Sequence, residues 1–186
     1  RPQVRFAVEF GSYESSATML ARREVDLGIL KEPIAHPGTA TMPLADCGMV
    51  CVLPRAHRLA ARRTITIDAL SREPLVLLGR DTTWRSDLHA LLRKVPRTPL
   101  VRIETRSTTA ACAFVAQGLG VSVLPALLAA QYTHLAVVTR PLEAPIHHRF
   151  VVGCPASLQA SSLVGAFAEA ARAAAEALME GAACGA

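Results

Sequence analysis

The chain has 186 residues, 51% of them hydrophobic, and a formal net charge of +5. That length holds one sizeable core or two small lobes. The charge is not a nucleic-acid footprint: eighteen of the twenty basic residues are Arg, scattered along the chain, and groupings such as Arg22-Arg23 and Arg55 to Arg63 form no basic stripe interleaved with aromatics.

In chain order, Val4 to Phe10 alternates apolar and polar residues and reads as a strand, followed by the polar loop Gly11 to Ser15. Ser16 to Arg23 reads as a short helix, and Val25 to Leu30 as a buried strand parallel to the first. A turn-rich stretch with Pro33, Pro37 and Gly38 leads to a strand at Met49 to Leu53, ended by Pro54. Thr66 to Leu70 is a short capped helix, and Pro74 to Gly79 a strand. Asp81 to Thr83 can cap a helix running from Trp84 to Arg93, before a strand at Leu100 to Glu104.

Ser107 to Thr139 contains no Asp, Glu, Lys or Arg and is long enough to span a bilayer. Its punctuation says otherwise. Ala111, Phe114, Val115 and Gly118 fall at helical spacing, Gly118-Leu119-Gly120 stops the helix, Val121 to Leu124 is a β-branched run, and Pro125 can open another helix. This is an α/β unit, not a membrane segment. Strands follow at Leu135 to Val138 and Arg149 to Gly153, and an Ala-rich helix from Ser162 to Met179 stops at Gly181. Strands alternating with helices predict an α/β fold with parallel-type sheets.

The five cysteines (47, 51, 112, 154 and 184) form no CxxC pair and fit free thiols in a reducing cytoplasm. The chain opens Arg-Pro-Gln-Val, without a signal peptide or initiator Met, as expected of a piece of a longer protein. No HExxH, Walker or GxSxG motif is present, so no catalytic residue and no cofactor is expected. His147 and His148 are adjacent in a strand and face opposite ways, so no metal site is expected there.

The ordered pieces VRFAVEFGS, EVDLGIL, CGMVCVLPRAHRL, TIDAL, EPLVLLGRDTTWR and SxxAxxxFVAxGLGVSVLP span residues 4 to about 155. In this order and spacing the chain resembles the effector-binding domain of LysR-type transcriptional regulators. The resemblance implies a periplasmic-binding-protein-like (type 2) fold of two lobes joined by two crossover strands, with a small effector in the cleft. Lobe I would hold residues 1–53 plus 149–186, and lobe II residues 54–148. The crossovers would lie around Met49 to Leu53 and Arg149 to Gly153. Family members carry an N-terminal winged helix-turn-helix, a linker helix, and the first strand and helix of lobe I. None of these is in this chain, so lobe I is expected to be incomplete at its N-terminus. DNA would be reached only through the missing domain, and the intact parent would be a homo-oligomer.

In open α/β sheets, ligands sit beyond the carboxyl ends of strands, among helix N-termini. That rule selects Ser12 and Tyr13, Lys31, Thr82, Thr83 and Arg85, and Ser107 and Thr108. Hydroxyls with one or two cations suit a carboxylate or amino-acid-like effector. Each hydroxyl could equally be a helix cap, and the two cations could be solvated surface charges. Trp84 could stack on a ligand or pack within lobe II. The function expected is a cytoplasmic sensor domain with no membrane contact. The competing readings are a periplasmic-type solute-binding protein of the same fold and a small α/β enzyme.

Overall fold

The computed structural model describes residues 3–34, 36–79 and 83–184. Its elements in chain order are α1 (Tyr13–Ala21), β1 (Gly28–Lys31), β2 (Thr39–Pro54), β3 (Ile65–Thr66), α2 (Ile67–Ser71), β4 (Leu75–Leu78), α3 (Thr83–Leu92), β5 (Val101–Thr105), α4 (Thr108–Ala116), β6 (Ser122–Pro125), α5 (Ala126–Ala129), β7 (Val137–Glu143), β8 (His147–Pro155) and α6 (Ser162–Cys184). Helix starts follow side-chain chemistry: Ser12, Thr66 and Ser107 each accept a backbone N–H three residues on, satisfying a donor the helix cannot pair. Gly118, at φ +75°, ends α4 in the left-handed conformation that glycine adopts without steric cost.

The 16-residue β2 organises the molecule. From Thr39 to Gly48 it pairs antiparallel with β8, whose other edge holds β1. From Met49 to Pro54 it pairs antiparallel with β6 on one side and β7 on the other. Cys51, Val52 and Leu53 are consequently shut in, at 0–1% exposure. One core gathers residues from Met49 to Ile146 around β4, β6 and α4; two smaller clusters form around Phe150 and Val152, with Leu127 of α5 among them, and around Leu20 and Leu30. A single strand thus passes from one core to the other, and β8 returns beside it.

The sheets are mixed. Parallel pairing occurs at β3–β7, at β4–β5 and at the Leu75–Val121 bridge, while the partners of β2 run antiparallel to it. A strand that leaves one core and the strand that returns must run in opposite directions. The α/β fold expected from the sequence is thus built with antiparallel crossovers beside its parallel pairs.

Two local expectations are corrected. Val4 to Phe10 is not a strand, and Phe6, Val8 and Phe10 are 70%, 68% and 94% exposed. Its alternation suits a strand, but a ladder needs a neighbour, and none of the described strands pairs with this segment. Phe6 instead lies against Phe167 of α6, ring centroids 6.2 Å apart. The last helix does not stop at Gly181 but runs to Cys184. Gly165 and Gly181 both sit within it; each costs about 1 kcal/mol against Ala, which the surrounding Ala run tolerates.

Cys47, Cys51, Cys112 and Cys154 are free and buried. Burial pushes the Cys51 and Cys112 thiols up to about 12, and those of Cys47 and Cys154 above their usual value. Because the thiolate is the reactive form, a Cys184→Ser variant is expected to take up no dithionitrobenzoate rapidly at pH 8 while native, and all four thiols once denatured. A fast-reacting thiol in the native variant would contradict this.

Candidate functional site

The β2–β8 ribbon sets Cys47 directly opposite His148. Both side chains are buried, at 4% and 1% exposure, while the adjacent His147 is open to solvent. The sequence expectation that the two histidines face opposite ways is met.

Groups from both cores converge on this pair. Tyr13, the first residue of α1, places its ring 6.3 Å from that of Phe150 and packs against the hydrophobic clusters of both cores. Burial and the neighbouring Cys47 push its phenol up to about 12. The Cys47 thiol is raised by burial, while the backbone N–H groups of Leu127 and Ala126, at the start of α5, favour the thiolate and pull the other way. Tyr13 and the first turn of α5 therefore meet at one sulfur.

Lys31, the last residue of β1, stands opposite Phe150 in the β1–β8 register. Partial burial lowers its ammonium pKa, and Asp87 in α3 opposes that effect. The His148 imidazole is driven down to about 4, by burial first and then by the Lys31 cation, with Asp87 acting against both and His147 adding a small further depression. Lys31 from one core, Asp87 from the other and His148 from the ribbon thus share one electrostatic neighbourhood.

The second core aims three helix starts at a common edge. β4 and β5 are parallel, and the β6 segment is parallel to β4 through the Leu75–Val121 bridge, so α3, α4 and α5 all begin at the carboxyl ends of these strands. Helix N-termini carry unpaired N–H groups and partial positive charge. Ser107 Oγ accepts the Ala110 N–H at 3.2 Å, while its own N–H donates to Thr105 Oγ1 at 3.2 Å. Ser12 Oγ accepts the Ser15 N–H at 3.1 Å and donates to Ser15 Oγ at 3.2 Å.

Of the residues chosen from sequence, Tyr13 and Lys31 flank the Cys47–His148 pair. Ser12 and Ser107 are exposed caps, and Thr108 is half-buried in the first turn of α4. Arg85 is 7% exposed and donates to Glu104 Oε1 of β5 at 2.9 Å, so its guanidinium ties α3 to the sheet. Thr82 lies outside the described residues. Thr83 and Trp84 open α3, but their side chains are outside the description. Cys47, His148 and Asp87 were not found from sequence. The register that sets Cys47 beside His148 joins residues a hundred positions apart, and only the buried member of the His-His pair hinted at it.

A chain of two cores that meet along its crossing strands and through Tyr13 and α5, with three helix starts at one edge, can grip a small polar molecule. A family model described as the LysR substrate binding domain matches residues 1–176. The chain belongs to that family. It is an effector-binding domain of the LysR type. It is 30% identical over 148 residues to the transcriptional activator protein LysR of Escherichia coli, covering 80% of this chain and 48% of that protein. It is 26% identical over 167 residues to the regulatory protein NocR of Agrobacterium tumefaciens, covering 90% of this chain and 56% of the relative. Full-length OxyR from Pseudomonas aeruginosa superposes with a TM-score of 0.77 at 26% identity, over 92% of this chain and 58% of that one.

This LysR-type domain spans about half the length of the curated relatives it matches. Those relatives are named as transcriptional regulators, which favours the regulator reading over a solute carrier or an enzyme. No helix of the described residues is long and apolar enough to cross a membrane; Ala111, Cys112, Val115, Val121, Val123 and Leu124 of the charge-free segment are buried in the main core. No group of His, Cys, Asp and Glu among the described residues could hold a metal ion.

Proposed function

We propose that this domain is the sensing part of a cytoplasmic transcriptional regulator and that its effector is a small carboxylate or amino-acid-like compound. The effector sits in the junction between lobe I, residues 1–53 plus 149–186, and lobe II, residues 54–148. Ser12, Tyr13 and Lys31 contribute from lobe I, and Thr82, Thr83, Ser107 and Thr108 from the helix starts of lobe II. Arg85 stands behind them as a positioning residue through Glu104. The observation that carries this reading is the shared neighbourhood of Lys31, Asp87 and His148, which brings a cation and two ionisable groups from three elements to one place.

An anionic effector would offer Lys31 a carboxylate in competition with Asp87, changing how tightly the two lobes hold each other. A ligand shifts such an equilibrium only by its differential affinity for the two arrangements. In the whole protein, a homo-oligomer, the shift is passed to a winged helix-turn-helix on DNA.

A thermal-shift screen of small carboxylates and amino acids tests this. A compound present at about a hundred times its Kd should raise stability by about 2.7 kcal/mol, a shift of several degrees. Lys31→Ala and Ser107→Ala should each remove most of that shift; Lys31→Ala should leave the unliganded Tm nearly unchanged, whereas Ser107→Ala, which removes the cap of α4, should lower it by a few degrees. An undiminished shift in both variants would place the effector elsewhere.

A further inference from the structure

A concavity of about 580 Å³ opens on the opposite face of the crossover ribbon from His148 and Lys31. Its size suits a small organic molecule. Its walls are the Glu32-Pro33-Ile34 segment after β1 and the residues of β2 and β8 that point away from His148, chief among them Thr41, Asp46 and Arg149. Arg149 stands between two carboxylates, 3.4 Å from Glu32 Oε2 and 3.8 Å from Asp46 Oδ2. His147 Nδ1 lies 3.9 Å from the other Asp46 oxygen.

These spacings decide what the concavity can take. Charge-assisted hydrogen bonds close to about 2.7–2.9 Å; the Arg149–Glu32 hydrogen bond is long at 3.4 Å and the other two ion pairs are longer still, so each group can turn to a ligand at little cost. Two carboxylates, Glu32 and Asp46, face one guanidinium. The lining carries a net negative charge on a chain that is positive as a whole. A simple anion is therefore disfavoured. A molecule with an ammonium and a carboxylate on one carbon satisfies both signs at once: the carboxylate takes the fork of Arg149, and the ammonium takes Glu32 and Asp46. Pro33 and Ile34 offer apolar surface to a side chain, and Thr41 a hydroxyl.

We propose that this concavity is a second ligand site, separate from the junction between the cores, that binds a zwitterionic α-amino acid through Arg149, Glu32 and Asp46. Its position gives binding a consequence. Arg149 and Asp46 are cross-strand neighbours on the ribbon that joins the cores, and Arg149 is adjacent to His148 on the opposite face. A ligand that closes the Glu32–Arg149–Asp46 cluster stiffens the segment on which the cores move.

Backbone and methyl NMR spectra of the domain, recorded with L-valine, L-serine, L-glutamate and L-arginine in turn, test the site. At least one should shift the resonances of Ile34, Thr39 and Thr41 saturably. The two halves of L-valine, isovalerate and isobutylamine, should each bind at least tenfold more weakly, because neither satisfies both signs. Arg149→Gln, Glu32→Gln and Asp46→Asn alter exposed or half-exposed side chains; each should weaken binding by about tenfold, whereas Lys31→Ala should leave it intact. No shift with any of the four amino acids overturns the proposal, as does equal binding of isovalerate, or unchanged affinity in Arg149→Gln. Because Lys31→Ala and Ser107→Ala report on the junction and Arg149→Gln on this face, failure here leaves the effector reading standing, and the reverse also holds.

Discussion

Gly120→Ala is expected to lower the unfolding free energy by roughly 3 kcal/mol, while Gly118→Ala, two residues away, costs about 1 kcal/mol. At Gly120 a Cβ would stand 2.5 Å from the Pro74 carbonyl oxygen, 3.1 Å from its carbon and 3.2 Å from Val76 Cγ2. The obstacle is backbone, and it is held in place: the Val121 N–H donates to Pro74 O at 2.9 Å and the Val76 N–H to Val121 O at 2.8 Å. Relief would require breaking the pairing that joins β4 to β6. At Gly118 nothing lies within 4 Å, so a methyl meets only the strain of φ +75°. Urea denaturation of the two variants gives the comparison directly. Equal losses would show that the β4–β6 contact yields more easily than its hydrogen bonds imply. The same contact sets the spacing of the α3 and α5 starts, so Gly120→Ala should also weaken any effector found for the junction.

The short segment around Gly120 shows what is legible in sequence. A glycine turn, a β-branched run and a proline specify helix stop, strand and helix start by local rules, and β6, α5 and the Ser107 cap of α4 fall within a residue or two of where those rules put them. The same holds for the Thr66 cap of α2. What local rules miss depends on partners distant in the chain. Only the Met49 to Leu53 part of β2 reads as a strand. Thr39 to Cys47 mixes Pro43, a register skip between Pro43 and Ala45, and half-exposed positions, and it is held in strand form by β8 from a hundred residues away. Val4 to Phe10 shows the reverse case, since its pattern is that of a strand and none of the described strands pairs with it.

The candidate site divides along the same line. Tyr13, Lys31 and Ser107 could be chosen because strand ends and helix starts are local features. The Arg85 guanidinium looked available for a ligand, yet it is turned to Glu104, nineteen residues on, a pairing that only the α3–β5 packing creates. Cys47, His148 and Asp87 carry no motif. They matter because register and packing bring them beside Lys31.

His148 is expected to make the domain acid-sensitive, and removing it should flatten that response. Its imidazole is held down to about 4 in the folded chain, against 6.5 when unfolded. Between these values the unfolded chain binds a proton that the folded chain refuses, so stability falls as pH drops below about 6.5 and stops falling near pH 4. The imidazole is 1% exposed, and the full effect over that window is on the order of 3 kcal/mol. Urea unfolding of wild type and His148→Gln from pH 8 to pH 4 should give curves that run parallel above pH 7 and converge toward the acid end, as the wild type loses stability that the variant has no group to lose. Lys31→Ala separates the two causes. Without the Lys31 cation the imidazole rises toward its ordinary value, so the acid loss should shrink, while burial keeps part of it. If the curves stay parallel to pH 4, His148 is not held neutral by its surroundings, and the electrostatic link between Lys31 and the crossover ribbon fails with it.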